Sequence, residues 1–101
     1  MAPHHSLQEN LQHLLKIKLG SALKSLASAS DYVVAEIDAA HALDFFRLLK
    51  LDSELSFDFF SSVTVVDWLD SRENRFEVVY HLMNTRDLYR LRVKIQLPED
   101  R

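Results

Sequence analysis

The side chains that could move protons in this sequence are five histidines and fifteen carboxylates. The histidines fall at 4, 5, 13, 41 and 81, and none stands in HExxH or another short two-ligand spacing on a helix. Spacing therefore offers no metal site. His81 has the most interesting setting, inside an alternating run over 76–82 and on its more polar side. An imidazole there could exchange a proton near neutral pH. The plainer reading, a half-exposed histidine packed among long neighbours, is preferred. Asp67 and Asp70 are close enough to suggest paired carboxylates, but they read more simply as acids at a strand end and in a turn. Serines are plentiful, yet a Ser-His-Asp set is recognised by geometry and not by position in the chain.

The strongest polar pattern is the basic stripe Arg90, Arg92 and Lys94, spaced by two. It could meet an anionic ligand such as RNA, or be neutralised within the sheet by Glu77 on an adjacent strand. The charge balance favours the second. Twelve basic and fifteen acidic residues leave a net charge of −3. Residues 1–50 carry five of each sign, and 51–101 carry seven basic and ten acidic, so neither half is basic. A surface that tracks phosphates would be.

Composition excludes much else. There is no cysteine, hence no disulfide, thiolate metal site or thiolate-held cluster. A single glycine excludes the dinucleotide-binding fingerprint, the Walker A loop and the GxSxG elbow. No apolar stretch approaches the roughly 18 residues that span a bilayer, and residues 1–6 show no signal-peptide pattern. The expected setting is a reduced compartment. The length of 101 residues, 48% apolar and 27% charged, suits one globular domain over 1–101.

The elements that must hold these side chains are legible. Ser6 and Glu9 form an S-x-x-E capping box. Leu7, Leu11, Leu14, Leu15 and Leu19 then make the apolar stripe of a helix over 7–19. Gly20 follows where a left-handed residue would end that helix. A rival reading continues the helix through Leu23 and Leu26. Residues 22–27 are weakly patterned and 28–31 read as a turn. Residues 32–37 are β-branched and aromatic, hence a strand. Asp38 would cap a second helix carrying Leu43, Phe46, Leu49 and Ala39, ending near Lys50. A strand over 59–69 and a turn over 70–74 follow. The alternating runs 76–82 and 89–97 then form an antiparallel hairpin around residues 84–87. The order α-β-β-α-β-β-β predicts an α+β fold, with helices on one face of a mostly antiparallel sheet. Phe45-Phe46 and Phe59-Phe60 should each place at least one ring in the core. Trp68, ending an apolar run, should be at least partly buried.

The hairpin register can be argued from burial. A turn centred between Thr85 and Arg86 pairs residues whose numbers sum to about 171. Glu77 then faces Lys94, Val79 faces Arg92 and His81 faces Arg90. Sums of 170 and 172 would set apolar residues against charged ones. Sums of 169 and 173 keep the faces and stay open.

The runs Arg75-Phe76-Glu77-Val78-Val79-Tyr80-His81-Leu82 and Arg90-Leu91-Arg92-Val93-Lys94-Ile95-Gln96-Leu97-Pro98-Glu99-Asp100 together resemble the thirty-kilodalton, C-type subunit of respiratory complex I, the NADH:quinone oxidoreductase. The run 57–68, Phe57-Asp58-Phe59-Phe60 through Asp67-Trp68, resembles the same family's strand. The resemblance covers 43–100, with only the architecture shared before that. It implies a non-catalytic subunit of the hydrophilic arm, peripheral at the cytoplasmic face of the bacterial inner membrane. It also implies that NAD, FMN, iron–sulfur clusters and quinone belong to partner subunits, with none held by this chain. The implied partners are other hydrophilic-arm subunits, above all the quinone-reactive, D-type one. Related hydrogenase-type complexes carry similar modules, which leaves the electron donor open. Trp68, His81, Arg90 and Arg92 are the candidate partner-contact residues. The family continues past Pro98-Glu99-Asp100 into a segment with a tryptophan and a Glu-Arg-Glu motif, whereas this sequence stops at Arg101, so it reads as truncated. An apolar patch near the last strand, or self-association, is expected in consequence. The alternative from a different class is a free-standing α+β binding module that uses the Arg90/Arg92/Lys94 face.

Overall fold

The structure, a computed structural model, describes residues 7–29, 31–68 and 76–97. Helix α1 spans Leu7–Leu19 and buries Leu11, Leu15 and Leu19, one residue per turn on one stripe. Ser6 of the capping box lies outside the described residues. Gly20 is not left-handed. It opens a single 3-10 turn, Gly20–Ala22, after Leu19 at φ −132°, and this tight turn ends the helix without a positive φ.

The chain then enters strand β1, Leu23–Ser28, which corrects the longer-helix alternative. Leu23 and Leu26 are its inward residues, three apart because the ladder to β2 (Val33–Ile37) is irregular between Leu23 and Ser25. A bulge inserts an extra residue and mimics helical spacing in the sequence. In β2, Val33, Ala35 and Ile37 are buried in strict alternation.

Helix α2 spans Ala42–Leu51, after a 3-10 turn Ala39–His41. Asp38 precedes that turn but makes no side-chain cap bond. Its carboxylate lies 3.7 Å from Lys24 Nζ and 3.8 Å from His41 Nδ1. The inward pair of α2 is Phe45 and Leu49, while Leu43 is exposed. This corrects the expected stripe through Leu43, since residues two apart point about 200° apart on a helix. Phe46 is half-buried, with its ring 4.8 Å from that of Tyr80.

Strands β3 (Phe59–Asp67), β4 (Phe76–Asn84) and β5 (Tyr89–Leu97) complete the chain. The five strands form one sheet in the order β1-β2-β5-β4-β3. Only the β2–β5 pair is parallel. The fold is therefore α+β, in the expected element order. The expected turn over 70–74 lies outside the described residues. Both helices serve the β2–β5 half. Leu11, Leu15, Phe45, Leu49, Leu55 and Phe57 pack with Val33, Ala35, Ile37, Leu91, Val93 and Ile95 in one core.

One expectation fails at the far edge, and an apolar patch lies elsewhere than expected. Phe59 and Phe60 are both about half exposed, at 51% and 55%, so neither ring joins the core. The exposed apolar side chains also gather on β3, not beside the last strand, because β5 lies in the middle of the sheet. Trp68 retains 36% of its surface in contact with solvent and is thus partly buried, just beyond the end of β3.

The β4–β5 register follows the sum of 173. Glu77 faces Gln96, Val79 faces Lys94 and His81 faces Arg92. The preferred 171 register treated Asn84 as a loop residue. Asn84 is instead fully buried and pairs with Tyr89. Its Oδ1 accepts the Asp87 N–H at 2.7 Å, and its Nδ2 donates to the Leu55 carbonyl. The side-chain bond to the residue three on holds the turn. Leu88, at φ 64°, closes the four-residue loop 85–88.

Candidate functional site

The β2–β5–β4 face opposite the helices carries the polar residues singled out in the sequence. Alternation along β5 turns Leu91, Val93 and Ile95 into the core and sends Arg90, Arg92 and Lys94 to this side. The 173 register sets His81 directly across from Arg92 and Met83 across from Arg90. Parallel pairing with β2 sets Val34 beside Arg92 and Glu36 beside Lys94.

His81, Arg90 and Arg92 converge on one concavity of about 320 Å³, together with Asp31, Tyr32, Phe59 and Ser61. Arg90 Nη1 lies 3.5 Å from Asp31 Oδ2, both side chains being largely exposed. The Arg92 guanidinium sits 4.2 Å from the centre of the Tyr32 ring, a cation–π contact. Arg92 Nε is buried and without a hydrogen-bond partner among the described residues. Ser61 donates its hydroxyl to the His81 carbonyl at 3.2 Å, across the irregularity between Phe60 and Ser62 in the β3–β4 ladder. Burial, and then the Arg92 charge, hold the His81 imidazole below its ordinary pKa. His81 is therefore a neutral ring at pH 7.

Three of the four candidate contact residues thus come together, while Trp68 is not among the residues lining the concavity. Lys94 shares the face two residues further along β5. The residue across from Glu77 differs from the expected Lys94. Glu77 is buried at 5% exposure and faces Gln96, and the acid beside Arg90 is Asp31. Sequence reasoning missed Asp31 and Tyr32. Their signal was their place immediately before β2, but its use required knowing that β2 runs parallel beside β5. Asp67 ends β3, and its companion Asp70 lies outside the described residues. Among the described residues no group of three or more His, Asp or Glu side chains is arranged to hold a metal ion.

The arrangement offers two cationic heads, one neutral imidazole and two aromatic rings around a shallow hollow. It can receive hydrogen-bond acceptors and carboxylates. Ser61 and His81 both line it, with the Ser61 hydroxyl given to the His81 carbonyl.

Comparison with known proteins gives this site a context. Residues 35–101 match the family described as respiratory-chain NADH dehydrogenase, 30 Kd subunit. The C-type subunit of NADH-quinone oxidoreductase from a Chelativorans species is 33% identical over 91 residues, which are 90% of this chain and 45% of that one. The C/D-type subunit of the same enzyme from Bdellovibrio bacteriovorus is 41% identical over 93 residues, which are 90% of this chain and 16% of that one. The chain thus spans about half the length, or less, of the curated relatives it matches. Among solved structures, the trypsin-resistant fragment of Nqo5 superposes with a TM-score of 0.71 at 19% identity, covering 89% of this chain and 72% of the fragment. A chain of the archaeal membrane-bound sulfane sulfur reductase complex superposes at 0.68 and 24% identity, covering 90% and 49%. These two likenesses show the fold.

Proposed function

We propose that this chain, which belongs to the family of the 30 Kd subunit of respiratory-chain NADH dehydrogenase, is a cofactor-free structural part of the hydrophilic arm of an NADH:quinone oxidoreductase. In this reading it supports electron transfer from NADH to quinone by packing against the quinone-reactive, D-type subunit, and NAD, FMN, clusters and quinone sit in partner subunits. The family match over 35–101 carries the proposal. The Bdellovibrio relative, whose name joins C and D, supports the choice of partner, because a polypeptide carrying both names keeps the two parts at high local concentration. The lack of cysteine agrees with it, since no thiolate is available to ligate a cluster. No helix among the described residues is long and apolar enough to cross a membrane. Attachment at the cytoplasmic face of the inner membrane would then come through partners.

The His81, Arg90 and Arg92 hollow is the contact surface of this proposal, with Trp68 as a further contact. The Arg90 guanidinium, largely exposed beside Asp31, can donate to a partner's carbonyl or carboxylate. The Asp31 carboxylate beside Arg90 and the net charge of −3 disfavour the RNA-binding alternative, which needs a surplus of positive charge facing the phosphates.

Co-purification from the native host tests the reading. A tagged chain should bring down the quinone-reactive subunit, and Arg92→Ala should weaken that recovery while leaving the circular dichroism spectrum unchanged. Recovery of the folded chain without any other component of the oxidoreductase overturns it.

A further inference from the structure

β3 ends the sheet, and no strand pairs with its outer edge among the described residues. Phe59, Phe60, Val63 and Val65 are 51–61% exposed. Between residues 59 and 66 there is no charge, no proline and no glycine, so the edge lacks the lysines and prolines that commonly block strand addition. We propose that a second copy of this chain pairs with β3 antiparallel, joining two five-stranded sheets into one about a two-fold axis through Thr64. This inference does not depend on the proposed function.

The register comes from which side each residue takes. Phe60, Val63, Val65 and Asp67 face Leu82, Tyr80, Val78 and Phe76, on the helix side. Phe59, Ser62, Thr64 and Val66 face Met83, His81, Val79 and Glu77, on the other side. A two-fold axis through Thr64 sets Val63 against Val65 and Val65 against Val63 on the helix side. It sets Thr64 against Thr64, and Ser62 against Val66, on the other. Asp67 meets Ser61, so the strand's one charge does not meet its like. An axis through Val65 would place Val63 against Asp67. An axis through Val63 would place Phe60 against Val66, which point to opposite sides because of the irregularity between Phe60 and Ser62. Of the three, the Thr64 axis keeps Val63/Val65, Thr64/Thr64 and Ser62/Val66 on common faces and sets the charge of Asp67 against a serine rather than a valine, the pairing that stabilises sheets. Two nine-residue strands make a small interface, so the dimer should be concentration-dependent.

Sedimentation velocity of the full chain over a concentration series tests this. The mass should rise from 11.7 kDa towards twice that value. Val65→Lys and Val63→Lys should each hold the chain monomeric with unchanged circular dichroism. Leu43→Lys, at an equally exposed site on α2, should leave the dimer intact. In parallel, hydrogen exchange at the β3 amides should slow as concentration rises, a readout that needs no variant. A monomer at every soluble concentration overturns the proposal. So does a dimer that survives both β3 lysines, one that Leu43→Lys also dissolves, or β3 exchange indifferent to concentration.

Discussion

β1 closes the sheet with six residues, a bulge after Leu23 and a lysine at the irregular position, and its Leu23 and Leu26 pack against the core. β3 closes it with nine residues, no lysine and four large apolar side chains in solvent. The same contrast runs inward. The β1–β2–β5 half lies under α1, while on the β3–β4 half the ring of Phe46 from α2 meets Tyr80, and Tyr80 meets the half-exposed Phe60. Backbone pairing thus suffices to place a strand in this sheet, but apolar burial is concentrated where the helices lie. A finished edge is one whose side chains, not only its inner hydrogen bonds, have been accounted for.

The largest effects should separate the two halves. Leu15→Ala empties a fully buried site between α1 and the sheet and should cost about 2–5 kcal/mol in chemical denaturation. Val65→Ala, on the exposed strand, should stay within about 0.5 kcal/mol in dilute monomer. Equal losses at the two sites would erase the distinction.

Asn84 joins the halves, since its side chain ties the β4–β5 turn to the Leu55 carbonyl of the loop after α2. Asn84→Ala leaves a carbonyl and an N–H without their partners and should cost about 1–3 kcal/mol. Hydrogen exchange should show the loss at Asp87 and along the loop 52–58. A variant as stable as the parent would mean that the halves do not communicate there.

A smaller effect lies on the exposed side of the sheet. The folded-state pKa of His81 lies below the unfolded value of 6.5, through burial and then Arg92. Between the two values the unfolded chain binds the proton that the folded chain refuses. Stability from this group is therefore complete above about pH 6.5 and falls as pH drops below it. Asp52 and Asp58 are likewise held below their ordinary 3.8. For Asp52, burial raises the pKa, but the Glu54 N–H, Lys18 and the Leu55 N–H outweigh it. For Asp58 the Thr85 hydroxyl and N–H are responsible. Their losses begin only as pH falls through about 4. His81→Gln should flatten the limb just below pH 6.5 and leave the acid limb in place. An unchanged limb in that variant would assign it elsewhere.

The sequence made the elements legible wherever burial on one side imposes a period. The stripe over Leu11, Leu15 and Leu19 and the alternation over Tyr89 to Leu97 are of this kind. It misled where a single residue changes the count. The bulge beside Lys24 turned a period of two into an apparent helical spacing. The burial of Asn84, a polar residue read as loop, moved the hairpin register by two. At the site, His81, Arg90 and Arg92 were legible because they share a face of two sequential strands. Asp31 and Tyr32 were not, because the β2–β5 pairing joins segments some sixty residues apart, and short-range pattern carries no information about it. The exposed Phe59 and Phe60 show the same limit: an aromatic doublet implies a core only where something lies over it.

The smallest predicted effect tests the finished edge. Gly20 opens the turn between α1 and β1 with no positive φ, and a Cβ added there meets nothing within 4 Å. The folded state would accept alanine without strain. The unfolded chain would lose backbone freedom, so Gly20→Ala should stabilise by about 0.4–1 kcal/mol. A left-handed Gly20, as the sequence first suggests, would give the opposite sign, because alanine resists that conformation. The thermal midpoint should rise by roughly 2–8 °C. The gain should come with no change in the sedimentation behaviour of the chain, because β3 lies at the other end of the sheet. A lower midpoint would return Gly20 to the left-handed reading and remove the 3-10 turn as the reason α1 stops at Leu19.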